Sequence, residues 1–362
     1  MLEVRCSGTP FEIGQQHGLQ ARDKVHGSLA FYKDLFHKTC DLDWTAVRAE
    51  AKKFLPALQS MHPRYVEELE GVASGAGVDF LDILALNVRT EITFGLFTKG
   101  DVPDEKITTD GCTAFSYVPG DKKSGSVYLG QNWDWQAEQL PNLFVCYIHQ
   151  PGSGLSDIAM ITEGGIIGKI GINSRGVGVC LNAIRARGVD VTKLPIHLAL
   201  RAVLEARSAA EAASQLEKEG VAGSGHFLIA DRETSIGLEA TVKGIKRLEP
   251  DANGVIVHSN HLLLEHPGVD EPLWLKDSSA RLHRMRVLLR EKLSSEEELE
   301  MHSLASLLED QEGYPSGINR QQLEGQDTIQ TLFSIMMNLG AERATVSFGR
   351  PTEPTDRVEL VF

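Results

Sequence analysis

A glycine directly followed by a cysteine, Gly111-Cys112 in the stretch TTDGCTAF, is the pair whose chemistry most needs an explanation. A thiol is activated by a neighbouring base, and no histidine lies near Cys112 in the sequence. Cleavage before Cys112 would create that base, because the pKa of an α-amine is roughly 7.7 to 8.0 against roughly 10.4 for lysine. Glycine tolerates strained backbone angles, so the Gly111 carbonyl can turn toward the thiol for an N-to-S acyl shift. The pair predicts an N-terminal nucleophile, although a buried strand cysteine after a loop glycine fits it too.

Signatures of other nucleophiles and cofactors are absent. The sequence has no GxSxG, SxxK, HExxH or GxxxxGK[ST] motif. No two of its cysteines have CxxC spacing, which favours free thiols over a zinc or dithiol site. One remote alternative, a metal-dependent hydrolase, comes from the ligand-like composition of HSNHLLLEH. Its candidate ligands are His258, His261, Glu265 and His266.

Composition narrows the class of protein. A formal net charge of -14 argues against binding to nucleic acid or to an anionic membrane surface. Hydrophobic residues at 42% and charged residues at 24% are typical of a soluble globular protein. The N-terminal stretch lacks an apolar signal core and the C-terminus is not an SKL-type tripeptide, so the sequence predicts a cytoplasmic location.

The elements that must position Cys112 change character along the chain. The first ninety or so residues have apolar positions at helical spacing, and a polar, exposed loop from about residue 100 to Gly111 follows. Short strands separated by turn residues begin at Cys112, and two amphipathic helices within 194–220 interrupt them. Two further surface helices are predicted near 278–310, the second with an N-terminal serine cap. This alternation predicts an α+β layered fold, with two sheets between helices.

Several motifs in order resemble one known family. They are DGCTAF, LGQNWDW, ITEGGIIGKIGINSRGVGVCLNAI, VHSNH and GRPTEP, preceded by GTPFEIGQQHG and LALNVRTE. Together they resemble the fungal isopenicillin N acyltransferases, of peptidase family C45 in the N-terminal nucleophile hydrolases. The resemblance implies a four-layer αββα sandwich, made as a precursor that cleaves itself between Gly111 and Cys112. Chains 1–111 and 112–362 would then stay associated as one integrated domain.

The same resemblance implies roles for individual residues. Cys112 matches the nucleophile, and Asn260 matches an asparagine whose amide helps to hold the developing oxyanion. Asp134 matches an aspartate that orients the acceptor amine and takes part in processing. Arg320 matches an arginine that pairs with the substrate carboxylate. Further substrate-binding positions implied are Trp135, Gly225 and His226.

The implied reaction passes through S-acyl-Cys112, from an amide or acyl-coenzyme A donor to a 6-aminopenicillanic acid-like amine or to water. No resident cofactor is expected, and the partners are small molecules. Ala114 stands where the family has threonine, and Gly225-His226 replaces a serine-alanine pair. These departures leave open a hydrolase or acyltransferase for an N-acyl amino acid, a β-alanyl amine or another secondary-metabolite amide. A non-catalytic relative that keeps the fold for binding is a further alternative.

Overall fold

The computed structural model describes residues 1–95, 111–120, 125–272, 275–295, 299–323 and 329–362. The loop predicted from about residue 100 therefore lies, apart from Gly111, outside the described residues. No helix within these ranges is long and apolar enough to cross a membrane.

The strand-forming stretches make two sheets, and most of their strands are buried on both faces. Sheet I runs, in spatial order, through β1 (Glu3–Ser7), β4 (Leu143–His149), β5 (Ile158–Glu163), β6 (Ile170–Asn173), β7 (Gly178–Ala183), β8 (Gly225–Ala230), β9 (Ser235–Thr241) and β10 (Gly244–Leu248). Sheet II runs through β11 (Val255–His258), β2 (Gly111–Tyr117), β3 (Tyr128–Gln136), β12 (Ile329–Asn338), β13 (Arg343–Phe348) and β14 (Asp356–Leu360). All neighbours pair antiparallel except β1 and β4, which are parallel.

Helices cover the outer faces of the sheets. On the side of sheet I they are α1 (Pro10–Gln20), α2 (Arg22–Cys40), α3 (Trp44–Lys52), α4 (Leu55–Met61), α5 (Pro63–Ala76), α6 (Phe80–Asn87), α7 (Ile196–Glu205) and α8 (Ala209–Glu219). On sheet II they are α9 (Ser278–Leu293) and α10 (Met301–Ala305). Strands β2 and β3 of sheet II contact β7 of sheet I, so the sheets pack face to face. The predicted αββα layering is confirmed.

Helix α1 begins and packs for reasons that can be read from its sequence. Thr9 and Glu12 form a capping box, and Pro10 occupies the first turn, where its missing N–H does no harm. The helix then lies backbone to backbone against α5. A Cβ on Gly14 would lie only 1.9 Å from the carbonyl oxygen of Glu68, so glycine is required by space.

One apolar core joins the segments on either side of position 111. Val25 and Leu84, from the first segment, belong to the same buried cluster as Ile161 and Val179. Buried ion pairs also join them, and Arg89 Nη2 lies 2.7 Å from Glu163 Oε1.

Several elements differ from the sequence-based expectation. The hydrophobic pattern does not predict strands β1, β10 and β12. Strand β12 is buried along nearly its whole length, so it lacks the alternation that marks a half-exposed strand. The second surface helix is short, because α10 begins only at Met301 and passes into a 3-10 turn over Ser306–Glu309. Its N-cap is Glu300, in a capping box with Ser303, and not the predicted serine.

Candidate active site

Cys112 is the second residue of β2 and is 1% exposed. In the β2–β3 register, Gly111 lies opposite Asp134 and Cys112 opposite Trp133. Because side chains alternate along a strand, Cys112 shares a face with Ser116, whose hydroxyl donates to Ser235 in sheet I. The thiol therefore projects between the sheets, while Gly111 lies on the opposite face, toward α9.

Asn260 joins the two sheets at Cys112. It follows β11 closely, and its backbone N–H donates to Ser278 Oγ at 2.8 Å. Its side-chain Oδ1 accepts the Cys112 backbone N–H at 2.9 Å, and its Nδ2 donates to the Ala183 carbonyl at 3.0 Å. The amide thus has a fixed orientation, with its oxygen against the backbone nitrogen of the candidate nucleophile.

Asp134 lies directly beside the residue that precedes the nucleophile. A Cβ on Gly111 would lie 2.8 Å from Asp134 Oδ2 and 3.1 Å from Asp134 Cβ. Oδ1 accepts from Thr331 Oγ1 at 2.7 Å, whereas the buried Oδ2 has no hydrogen-bond partner among the residues described. Burial raises the pKa of Asp134, and the Arg320 guanidinium offsets part of that rise.

Arg320 is held by protein carboxylates. Its Nη2 contacts Asp277 Oδ2, and its Nε lies 3.7 Å from Asp134 Oδ2. Burial by itself would raise the pKa of Asp277, but Arg281 and Arg320 together hold it below its usual value. The side chain of Arg320 is 2% exposed, so its guanidinium is not open to a substrate carboxylate in this structure.

Arg281 is the site residue that the sequence analysis missed. Its Nη1 donates to the Cys112 carbonyl at 2.7 Å and to Thr113 Oγ1 at 3.0 Å, and its Nη2 donates to Asn260 Oδ1 at 2.9 Å. Nε donates to Asp277 Oδ1 at 3.0 Å. One signal could have found it: Arg281 lies at helical spacing from Met285, on the buried face of an otherwise polar helix.

Trp135 lies deeper than a substrate-binding role suggests, because its side chain is fully buried. Its indole stacks on Trp133 at 6.1 Å between ring centroids, and Arg89 lies 5.3 Å from its ring. Lys169 Nζ lies 3.7 Å from the Trp133 ring centroid. These aromatic rings share the face of sheet II from which the Cys112 side chain projects.

Gly225 and His226 are the first two residues of β8, at the end of the strand that pairs with Ala183. Gly225 pairs with Ala183, whose carbonyl holds the Asn260 amide. His226 is buried, its Nδ1 lies 3.1 Å from Asn182 Oδ1, and its ring stacks on His258 at 3.6 Å. Burial lowers the pKa of His226 well below its usual value, so the ring is neutral. His226 is thus a strand histidine that packs against Asn182 and His258.

The geometry does not support the metal alternative. His258 Nε2 and His266 Nε2 contact the two oxygens of Glu239, at 2.9 and 3.0 Å. His261 Nδ1 instead lies 2.7 Å from Ser278 Oγ. Among the described residues, no group of three or more histidine, cysteine, aspartate or glutamate side chains is placed to hold a metal ion.

The whole length of the chain is similar in sequence to a known protein. A profile of the family described as acyl-coenzyme A:6-aminopenicillanic acid acyl-transferase matches residues 121–353. The 40 kDa form of acyl-coenzyme A:6-aminopenicillanic-acid-acyltransferase from Emericella nidulans is 36% identical over 364 residues, covering 100% of this chain and 96% of that protein.

One solved structure reaches a TM-score of 0.50 and shows a likeness of fold to this chain. Penicillin V acylase from Agrobacterium tumefaciens matches with a TM-score of 0.50 at 15% identity, over 69% of this chain and 86% of that one. A Caenorhabditis elegans ortholog of N-acylethanolamine-hydrolyzing acid amidase gives a TM-score of 0.46 at 17% identity, over 63% of this chain and 93% of that one.

Proposed function

Because this chain belongs to the acyl-coenzyme A:6-aminopenicillanic acid acyltransferase family, we propose that it cleaves itself before Cys112 and transfers acyl groups through that thiol. The observation that carries the proposal is the hydrogen bond from the Cys112 backbone N–H to Asn260 Oδ1, with Asp134 against Gly111. These contacts hold both sides of one peptide bond. Asn260 Oδ1 is also a hydrogen-bond acceptor for the nitrogen that cleavage would free.

Self-cleavage needs only groups that the chain supplies, together with water. Cys112 Sγ adds to the Gly111 carbonyl and loses its proton, the C–N bond breaks, and the Cys112 nitrogen keeps the electron pair and takes the proton that the thiol has lost. Water then hydrolyses the resulting thioester to a Gly111 carboxylate and a free thiol. Asp134, whose pKa is raised by burial, can carry a proton at this step because it lies beside Gly111.

Acyl transfer then uses the new amine as its base. The α-amine of Cys112 takes the thiol proton, the thiolate adds to the donor carbonyl, and the leaving thiol or amine departs with that proton. An acceptor amine or water then attacks S-acyl-Cys112 and gives a proton to the α-amine. The acyl C–S bond breaks, and the Cys112 thiolate takes that proton back. Asn260 Nδ2 carries a second N–H besides the one bonded to Ala183, and this N–H is the proposed oxyanion donor.

The acceptor site is proposed to be the place of Gly111. Once that residue has left, the space beside Asp134 is open to an amine, and the Asp134 carboxylate would orient it. Arg320 acts here through Asp134, whose Oδ2 it faces at 3.7 Å, and contributes less as a direct clamp on a substrate carboxylate. Donors such as acyl-coenzyme A thioesters and acceptors such as 6-aminopenicillanic acid follow from the family; water competes for the same intermediate.

The two chains are proposed to remain together after cleavage. Strand β1 pairs with β4 across the cut, and the apolar core contains residues from both segments. Separating them would break the buried ion pair Arg89–Glu163 and leave each charge either buried without its partner or exposed to water. Native size-exclusion chromatography should therefore show one species, which denaturant resolves into two.

Intact mass of the purified protein, wild type beside Cys112→Ala, tests the proposal. We expect two fragments meeting at Cys112 for the wild type and one full-length species for the variant. Phenylacetyl-coenzyme A with and without 6-aminopenicillanic acid then measures transfer against hydrolysis. An uncleaved wild type that turns over acyl donors, or an active Cys112→Ala variant, would overturn the mechanism.

A further inference from the structure

We propose that Arg281 is a positioning residue that fixes the Asn260 amide and keeps the α-amine of mature Cys112 in its neutral, proton-accepting form. This inference rests on the proposed function, since it assigns a role within that same site. Nothing in the motifs around the nucleophile points to Arg281, which is one of four arginines on α9. Its contacts are what distinguish it.

The first part of the role is orientation. Asn260 Oδ1 accepts two hydrogen bonds, one from Cys112 N and one from Arg281 Nη2, both at 2.9 Å. A carbonyl oxygen has two lone pairs, so this oxygen is saturated and the amide cannot flip without losing both bonds. With Oδ1 held on one side, Nδ2 must face Ala183 and the side on which the substrate carbonyl would develop charge.

The second part is electrostatic. Arg281 Nη2 and Cys112 N share one acceptor oxygen, so they lie within about 6 Å of each other. A guanidinium does not lose its proton in proteins, and a fixed positive charge at that distance disfavours protonation of a neighbouring amine. Arg281 therefore keeps the amine able to accept the thiol proton.

The charges around the amine are otherwise balanced. On α9 and at its N-cap, Arg281 is paired with Asp277; Arg320 is paired with Asp277 and faces Asp134. Removing the Arg281 charge leaves two carboxylates against one guanidinium, and this excess favours a protonated amine. Among the described residues, further titratable or charged side chains around Cys112 include Arg185 after β7, His226 on β8, His258 on β11 with its partner Glu239 on β9, and His261 after β11. Lys169 lies over the ring of Trp133, which is opposite Cys112.

The test is the pH dependence of kcat/KM for acyl transfer, which reports the essential base of the free enzyme. The full chain is compared as wild type, Arg281→Gln and Arg281→Lys, after intact mass has established the cleaved fraction of each. Arg284→Gln is the matched control, because Arg284 lies on the same helix but pairs with Asp310 and Glu312 near the surface.

We expect Arg281→Gln to move the acid limb of the pH profile of kcat/KM to higher pH by about 1 to 2 units. This shift follows from Coulomb's law for two charges about 6 Å apart at an effective dielectric constant of about 20. Arg281→Lys keeps the charge, so its limb should stay within about half a unit of wild type. Its kcat should fall about tenfold, because an ammonium cannot bond Cys112 O and Asn260 Oδ1 as the guanidinium fork does. Arg284→Gln should have the same acid limb and the same kcat as wild type.

Each part of the inference can fail separately. An unmoved limb in Arg281→Gln, or a limb in Arg281→Lys displaced by a full unit or more, would overturn the electrostatic role. An undiminished kcat in Arg281→Lys would overturn the orienting role. If Arg281→Gln does not cleave itself, a displaced limb in Arg281→Lys still overturns the electrostatic role, and its kcat still decides the orienting role. Failure of the underlying mechanism looks different: it appears in the wild type and in Cys112→Ala, before any Arg281 variant is made.

Discussion

Replacing Gly111 with alanine should slow self-cleavage while leaving the fold intact. The new Cβ would lie 2.8 Å from Asp134 Oδ2 and 3.1 Å from Asp134 Cβ, closer than real Cβ atoms normally come. Asp134 cannot easily withdraw, because Thr331 holds its Oδ1 at 2.7 Å and Arg320 lies 3.7 Å from its Oδ2. Gly111 must therefore shift away from the position that presents its carbonyl to the thiol.

The magnitude follows from the size of the overlap. Adding one carbon to a well-packed site costs about 1 to 3 kcal/mol. If that cost falls on the reactive arrangement of Gly111 and Cys112, the rate of cleavage drops by about 5- to 150-fold. The contact with Asp134 Cβ makes the lower limit firm, since this atom is tied to the β3 backbone and cannot rotate away.

Cleavage is measured by synthesising each variant in a cell-free system, quenching samples in acid and following the precursor by intact mass. Gly120→Ala is the control, since no atom of the described residues lies within 4 Å of a Cβ at that position. It should cleave at the wild-type rate and unfold at the same temperature. A Gly111→Ala precursor that cleaves as fast as wild type, or faster, would refute the reasoning that Asp134 fixes the reactive geometry.

Three further predictions concern the site and the fold. Asn260→Ala should lower kcat for acyl transfer by about 10²- to 10³-fold, because it removes a proposed oxyanion donor; an unchanged kcat in steady-state assays would exclude that role. Burial raises the pKa of Glu91 to about 7, so the native state keeps a proton that the unfolded chain releases, and stability is lost as pH rises from about 4.5 to about 7. The free energy of unfolding of Glu91→Gln should therefore rise by about 3 kcal/mol relative to that of wild type as the pH goes from the lower to the upper limit, measured by urea titration. A difference between the two proteins that does not change with pH would contradict this. Gly14→Ala should lower stability by about 1 to 3 kcal/mol in the same assay, because α1 must move away from Glu68; no loss would mean that the helices separate freely.

Much of the fold could be predicted from local pattern. Strand β2, the pair α7 and α8, and helix α9 all follow from hydrophobic spacing and turn residues. Strand β12 could not be predicted in this way, because a buried run of ten residues without alternation fits a buried helix as well as a strand. Its burial depends on its hairpin partner β13 and on β3, which is distant in sequence.

The sequence by itself determined which family the chain belongs to, through ordered motifs around Cys112, Asp134 and Asn260. It also singled out Gly111-Cys112 as the pair to explain, because residue types and their neighbours are all that this inference needs. Motifs carry such information because the chemistry of a nucleophile depends on the residues directly beside it.

Only the tertiary structure decided how charge is distributed around Cys112. Arg281 reaches the Cys112 carbonyl from 169 positions away, and Arg320 meets Asp277 and not open solvent. The Asp134 carboxylate lies against Gly111, on the opposite face of the sheet from the thiol. Such contacts join side chains from different layers, and no local pattern encodes them, because what sets their distances is the packing of helix on sheet.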